Sequence, residues 1–162
     1  MLKAPWQKLH MPRELACEFL GIFSRFEYAL KAGGFAKSSQ RGYAEPDWTT
    51  FGQSIAANFN SAATPELDAS VAYLVANPPL RQSYSAAAGL SWSAVPVAAG
   101  VSQAERLIAY VRCVRNNLFH GGKFLAQPVG SSDRDFKLFT CSLVVLGGLV
   151  TLNSNVEQAY ST

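Results

Sequence analysis

Apolar residues recur at steps of three and four along five stretches of this chain, and each stretch is bounded by residues that start or stop helices. From Arg13 to Lys31 the stripe runs Leu15, Phe19, Ile22, Phe23, Phe26 and Leu30, one face of an amphipathic helix. Pro12 suits the first turn and Gly33-Gly34 supplies the stop. Asp47 is placed as the N-cap of a second, shorter helix through Trp48, Phe51, Ile55 and Phe59. Thr64-Pro65-Glu66 opens a third, which ends near Asn77 ahead of Pro78-Pro79. Ser102-Gln103-Ala104-Glu105 has the spacing of a capping box, in which the serine oxygen accepts from the N–H three residues on and the glutamate reaches back to the serine N–H. The helix it opens turns Leu107, Val111, Val114 and Leu118 inward and stops at Gly121-Gly122. A last helix starts near Ser132-Asp133 and continues through Phe136, Phe139, Leu143 and Leu146 to about Leu152. Its apolar run, Leu138 to Leu152, falls short of the roughly 20 residues that cross a bilayer, so it reads as a buried core helix.

Between Pro78 and Val101 no period of 2 or 3.6 emerges, which predicts a long loop whose Tyr84 and Trp92 anchor it to the core or stack on a ligand. No other segment alternates as a strand, so the expectation is an all-α fold: a four- to five-helix bundle forming one domain over residues 1–162, with 1–11 and 153–162 frayed. Charged residues make up 15% of the chain against about 25% in an ordinary soluble protein, which leaves few charges for the surface and points to a face covered by another subunit. The net charge of +3 permits contact with nucleic acid without demanding it, since Lys and Arg form no stripe. Cys17, Cys113 and Cys141 form no Cys-x-x-Cys or Cys/His cluster that would hold a metal; they read as small buried residues in a reducing cytoplasm. Met1 to Pro12 carries Lys3, Lys8 and His10 and lacks the apolar stretch of a secretion signal, so neither export nor a membrane is expected.

Chemistry concentrates at the end of the capped helix, where Arg112, Arg115, Asn116, His120, Gly121, Gly122 and Lys123 crowd together. Asn116 and His120 lie one turn apart on the same face, whereas Arg115 is about 140° around from His120 on a straight helix. Unwinding at Phe119 or His120, ahead of the glycine pair, would let the imidazole swing beside the guanidinium, and backbone freedom at Gly121 and Gly122 would let a phosphate approach. Arginine binds phosphate in bidentate fashion, and histidine can both take and give a proton near neutral pH. The structural alternative is that Arg115, Asn116 and Asn117 cap the last carbonyls while His120 is a surface residue favoured by the helix dipole.

Arg115-Asn116-x3-His120, late in a helical chain of this size, resembles the R-φ-x3-H signature of the HEPN superfamily, and the early helix FSRFEYALK (Phe23 to Lys31) is similar to that of several HEPN branches. The resemblance implies a metal-independent endoribonuclease without cofactor, acting on RNA as a homodimer in toxin-antitoxin or phage-defence settings, with a cognate antitoxin or regulatory protein as a further partner. It implies that His120 acts as general base or acid, that Arg115 neutralises charge on the phosphorane and that Asn116 orients one or the other. Arg112, Lys123, Gly121 and Gly122 would contact the substrate; Glu27 and Lys123 are secondary candidates for the site itself, the alternatives being that Glu27 pairs with an arginine and Lys123 provides general attraction for RNA. The tyrosine that one toxin branch carries two residues after the histidine is replaced here by Gly122, so silencing by modification at that position is not expected. Many folds host active and inert members, so a catalytically silent module that binds a protein or nucleotide is the other expectation.

Overall fold

A computed structural model describes residues 1, 6–124 and 132–162, and the chain is mostly helical. The helices are α1 (Arg13–Ala32), α2 (Trp48–Ile55), α3 (Pro65–Ala76), α4 (Gln103–Phe119), α5 (Ser132–Val150) and α6 (Ser154–Ser161). The start signals act as their chemistry requires. Asp47 accepts from Thr50 N–H, Thr64 accepts from Leu67 N–H, and Ser102 and Glu105 make both bonds of the capping box. The second helix is shorter than its stripe, because the chain tightens after Ile55, with Ala56 N–H turning to Gln53 O at 3.3 Å.

The all-α expectation fails at two antiparallel hairpins. Strands β1 (Ala36–Ser38) and β2 (Ala44–Pro46) lie between α1 and α2, and β3 (Leu80–Ser85) pairs with β4 (Gly89–Ala94) inside the stretch expected to be a loop. In the second hairpin, Leu80, Gln82 and Tyr84 share a face with Leu90, Trp92 and Ala94, while Arg81, Ser83 and Ser85 face Ser93, Ser91 and Gly89 on the other. The alternation is present but faint, because small and polar residues occupy most positions. Gly89, at φ +67°, lets the chain close after Ala86 to Ala88, and Ser85 Oγ accepts from Ala88 N–H.

The core is aromatic where α1, α2 and α5 meet. Phe26 stacks on Trp48 with centroids 5.2 Å apart, and Phe19 meets Phe139 edge-on at 4.8 Å. Leu138, Val145, Leu146 and Leu149 of α5 are buried, and no single helix among the described residues is long and apolar enough to cross a membrane. The terminal segment expected to fray is instead helix α6, which docks on α1: Val156 is buried, and Arg25 donates to the carbonyls of Ala159 and Tyr160 at 2.9 Å each. At the other end Leu9 and Met11 are buried, so this part of 1–11 is packed; residues 2–5 lie outside the described residues. Of the cysteines expected to be buried, Cys113 is, Cys141 is half-buried and Cys17 is exposed, because position 17 falls on the outer face of α1.

The capping box makes the start of α4 pH-sensitive. Hydrogen bonds from the Ser102 hydroxyl and N–H hold the Glu105 carboxyl below its ordinary range. A depressed folded-state pKa contributes stability above the unfolded value and loses it as pH falls through the folded one. Ser102→Ala is expected to cost about 1 kcal/mol at neutral pH. In thermal melts followed by circular dichroism, the Tm gap between wild type and Glu105→Gln is expected to hold at neutral pH and to narrow as pH falls below the ordinary glutamate value of about 4.3.

Candidate functional site

Four-residue steps put Arg112, Asn116 and His120 in a row along one face of α4. Together with Ala109, Cys113 and Asn117 they form one side of an open groove of about 460 Å³, closed on the other side by Arg81 and Gln82 of β3 and by Val95 and Pro96 beyond β4. The groove thus gathers two guanidinium groups, one imidazole and three side-chain amides, those of Gln82, Asn116 and Asn117. Its far wall is bonded to the helix: Asn117 Nδ2 donates to Leu80 O at 2.7 Å, and the Cys113 thiol approaches the same carbonyl at 3.5 Å. Burial pushes that thiol above its ordinary pKa, outweighing the opposing influence of Lys123 and Asn117, so it stays protonated at neutral pH and acts as a packing group.

Helix α4 stays regular to Phe119. His120 is its C-cap, its N–H donating to Asn116 O at 2.9 Å, and Gly121 at φ +80° turns the chain away. The helix does give way at His120, whose φ of −91° and ψ of 18° are no longer helical, but the polar partners of Arg115 are Asn116 and Glu27 and not the imidazole. Arg115 faces α1 instead, where Nη2 lies 3.9 Å from Glu27 Oε2 while Glu27 Oε1 accepts from Trp48 Nε1 at 3.3 Å. Its guanidinium also covers the rings of Phe23, at 5.5 Å, and Phe119, at 4.9 Å. Glu27 therefore pairs with an arginine, as expected. Asn116 links the two sides. Arg115 Nη1 donates to Asn116 Oδ1 at 3.0 Å, and because a guanidinium only donates, this contact fixes the amide and leaves Nδ2 as the donor on the groove side.

Gly121 is open, since a Cβ there would meet nothing within 4 Å. Gly122 is different: a Cβ would come within 3.0 Å of Asn117 O and the Trp92 ring, so the backbone at this glycine is packed against protein and offers no seat for a phosphate. Lys123, expected to attract RNA, is buried and ion-paired with buried Asp135 of α5, out of reach of a surface ligand. A lysine just past a helix end can turn inward to meet an acidic helix start, as Lys123 does with Asp135. Arg81, Gln82 and Asn117 were missed. The first two enter through a hairpin whose alternation is faint, and Asn117 is one residue off the row, where it clamps Leu80. Among the described residues, no group of three or more His, Cys, Asp or Glu side chains could hold a metal ion.

Removing one partner of a buried ion pair strands the other charge. Lys123→Met is expected to lower unfolding stability by about 3–5 kcal/mol in urea titrations, and the double variant Lys123→Met/Asp135→Leu to recover most of that loss.

Compared with protein-family models, with curated proteins and with solved structures, the chain matches none.

Proposed function

We propose that this protein is a metal-independent endoribonuclease of HEPN type, a helical bundle built on α1, α3, α4 and α5 that acts as a homodimer on RNA. The observation that carries this reading is the convergence of His120, Arg112, Asn116 and Arg81 on one open groove. An RNA phosphate in that groove meets an arginine from each wall, Arg112 of α4 and Arg81 of β3, and arginine is a strong donor to phosphate. The 2′-oxygen attacks phosphorus as its proton passes to an imidazole, the P–O5′ bond breaks, and O5′ takes a proton, leaving a 2′,3′-cyclic phosphate. Arg112 and Arg81 offset the charge that grows on the non-bridging oxygens, and Asn116 Nδ2 donates to one of them.

Each chain brings one imidazole to its groove, whereas the reaction uses a base and an acid. In the dimer the two His120 side chains divide these roles, and Arg115 serves from the flank outside its own groove. A toxin or phage-defence role, with a cognate antitoxin or regulatory protein as partner, is part of the same reading. The opposing reading, a silent module that binds a protein or nucleotide, draws on one observation: Arg115 is already engaged by Glu27 and the Phe119 ring.

Purified protein, incubated with a mixed RNA pool in EDTA, is expected to yield fragments ending in 2′,3′-cyclic phosphate. His120→Ala is expected to slow cleavage by roughly 10²- to 10⁴-fold and Arg112→Ala by roughly 10²- to 10³-fold, with Tm little changed. Equal activity in wild type and His120→Ala, or no cleavage by wild type, rejects the nuclease and leaves the silent module.

A further inference from the structure

Phe119 is a large apolar side chain that the fold leaves outside. It is 64% exposed at the last turn of α4, and it belongs neither to the buried core nor to the half-buried residues packed on it. Its position is specific. The Arg115 guanidinium lies over the ring at 4.9 Å from the centroid, and the His120 ring meets it perpendicularly at 5.4 Å. His120 therefore stands between this aromatic on one side and the cationic groove of Arg112 and Asn116 on the other. Trp6, Tyr28, Tyr43, Tyr84 and Phe136 are also exposed, and Arg25 lies over Tyr28 at 4.9 Å, but the ring contact seen with His120 is that of Phe119.

An exposed aromatic ring with an arginine over it, set beside an open groove lined by two more arginines, matches the two elements of single-strand recognition: base stacking and charge attraction along the backbone. We infer that Phe119 is a stacking platform for an unpaired RNA base next to the phosphate held at His120, so that the substrate is single-stranded. This rests on the nuclease reading for its chemistry, but the binding it describes is measurable without cleavage. A base in a duplex has both faces covered by its neighbours and cannot reach the ring without being extruded. The Arg115 contact holds the ring in place and adds positive charge beside it, which favours an anionic strand over a neutral apolar partner.

The test uses the full chain and uncleavable 2′-O-methyl 12-mers, A12 and U12 as single strands and a blunt 12-base-pair duplex, with affinity read by fluorescence anisotropy. Wild type is expected to bind the single strands more tightly than the duplex. Phe119→Leu, which keeps an apolar side chain but has no π-face, is expected to weaken single-strand binding roughly 5- to 100-fold. Phe119→Tyr is expected to restore wild-type affinity, and Phe119→Trp to give additional indole emission that a single strand quenches. Wild-type affinity in Phe119→Leu, equal binding of duplex and single strand, or an effect of Phe119→Leu confined to the monomer–dimer equilibrium in sedimentation would each overturn the inference. RNA cleavage by wild type with unaltered single-strand binding in Phe119→Leu removes the platform and keeps the nuclease. Stacking-dependent binding without cleavage keeps the platform and removes the nuclease.

Discussion

The groove exists because one buried amide on α4 holds a strand carbonyl. Asn117 is nearly inaccessible, and its Nδ2 donates to Leu80 O at 2.7 Å. An isolated two-stranded hairpin is at best marginally stable in water, so β3 and β4 need an anchor. This bond, with Trp92 packed against Gly122, supplies it at the base of the hairpin. Leaving the amide unpaired in that setting costs about 1–3 kcal/mol, so helix and hairpin hold each other in register. Arg81 and Gln82, one and two residues beyond the anchored carbonyl, are thereby placed opposite Arg112 and Asn116. Just past the helix, the buried Lys123–Asp135 pair fixes the exit of α4 to the start of α5. The end of the helix is thus tied down on two sides while His120, between the ties, stays at the surface.

Where the chain carries both a stripe and a cap, the fold was legible before the structure. Helices α1, α3, α4 and α5 begin at or next to Pro12, Thr64, Ser102 and Ser132; for α3 and α4 the reason is a cap between residues three apart, and at α1 a proline that suits a helix start. The hairpins escaped for the converse reason. In β3 and β4, serine, glycine and alanine hold positions where β-branched residues would mark a strand, and the pairing is stabilised by contacts with α4 that no local pattern encodes. Helix α6 is similar: too short and polar to declare itself, it is held by Val156 and by the Arg25 bonds to its last carbonyls.

The candidate site was legible along the helix and illegible across it. Geometry within α4 followed directly from 100° per residue: Asn116 and His120 do share a face, and Arg115 does point elsewhere. What spacing could not convey is that Lys123 turns inward, since burial of a lysine depends on an acidic partner twelve residues away. Nor could it separate Gly121 from Gly122, adjacent residues of which one faces open space and the other a tryptophan.

An arginine and a histidine five residues apart on one straight helix leave it about 140° apart, so its backbone aims them at different faces. Two separate pairings result. The row of Arg112, Asn116 and His120 lines a groove of a single chain, whereas Arg115 and the exposed Phe119 ring lie together on its flank. Asn116 couples the rows, because its oxygen is taken by Arg115 and its N–H groups are left for the groove. In the proposed reading, then, Arg115 acts in its own chain by orienting Asn116, and any direct contact it makes with the scissile phosphate has to come from the second copy. An effect of Arg115→Ala on cleavage that is rescued by mixing with an Arg115-intact, Arg112→Ala chain, a pairing that keeps both imidazoles, belongs to the shared site of a dimer; an effect that mixing leaves unchanged belongs to the amide it holds.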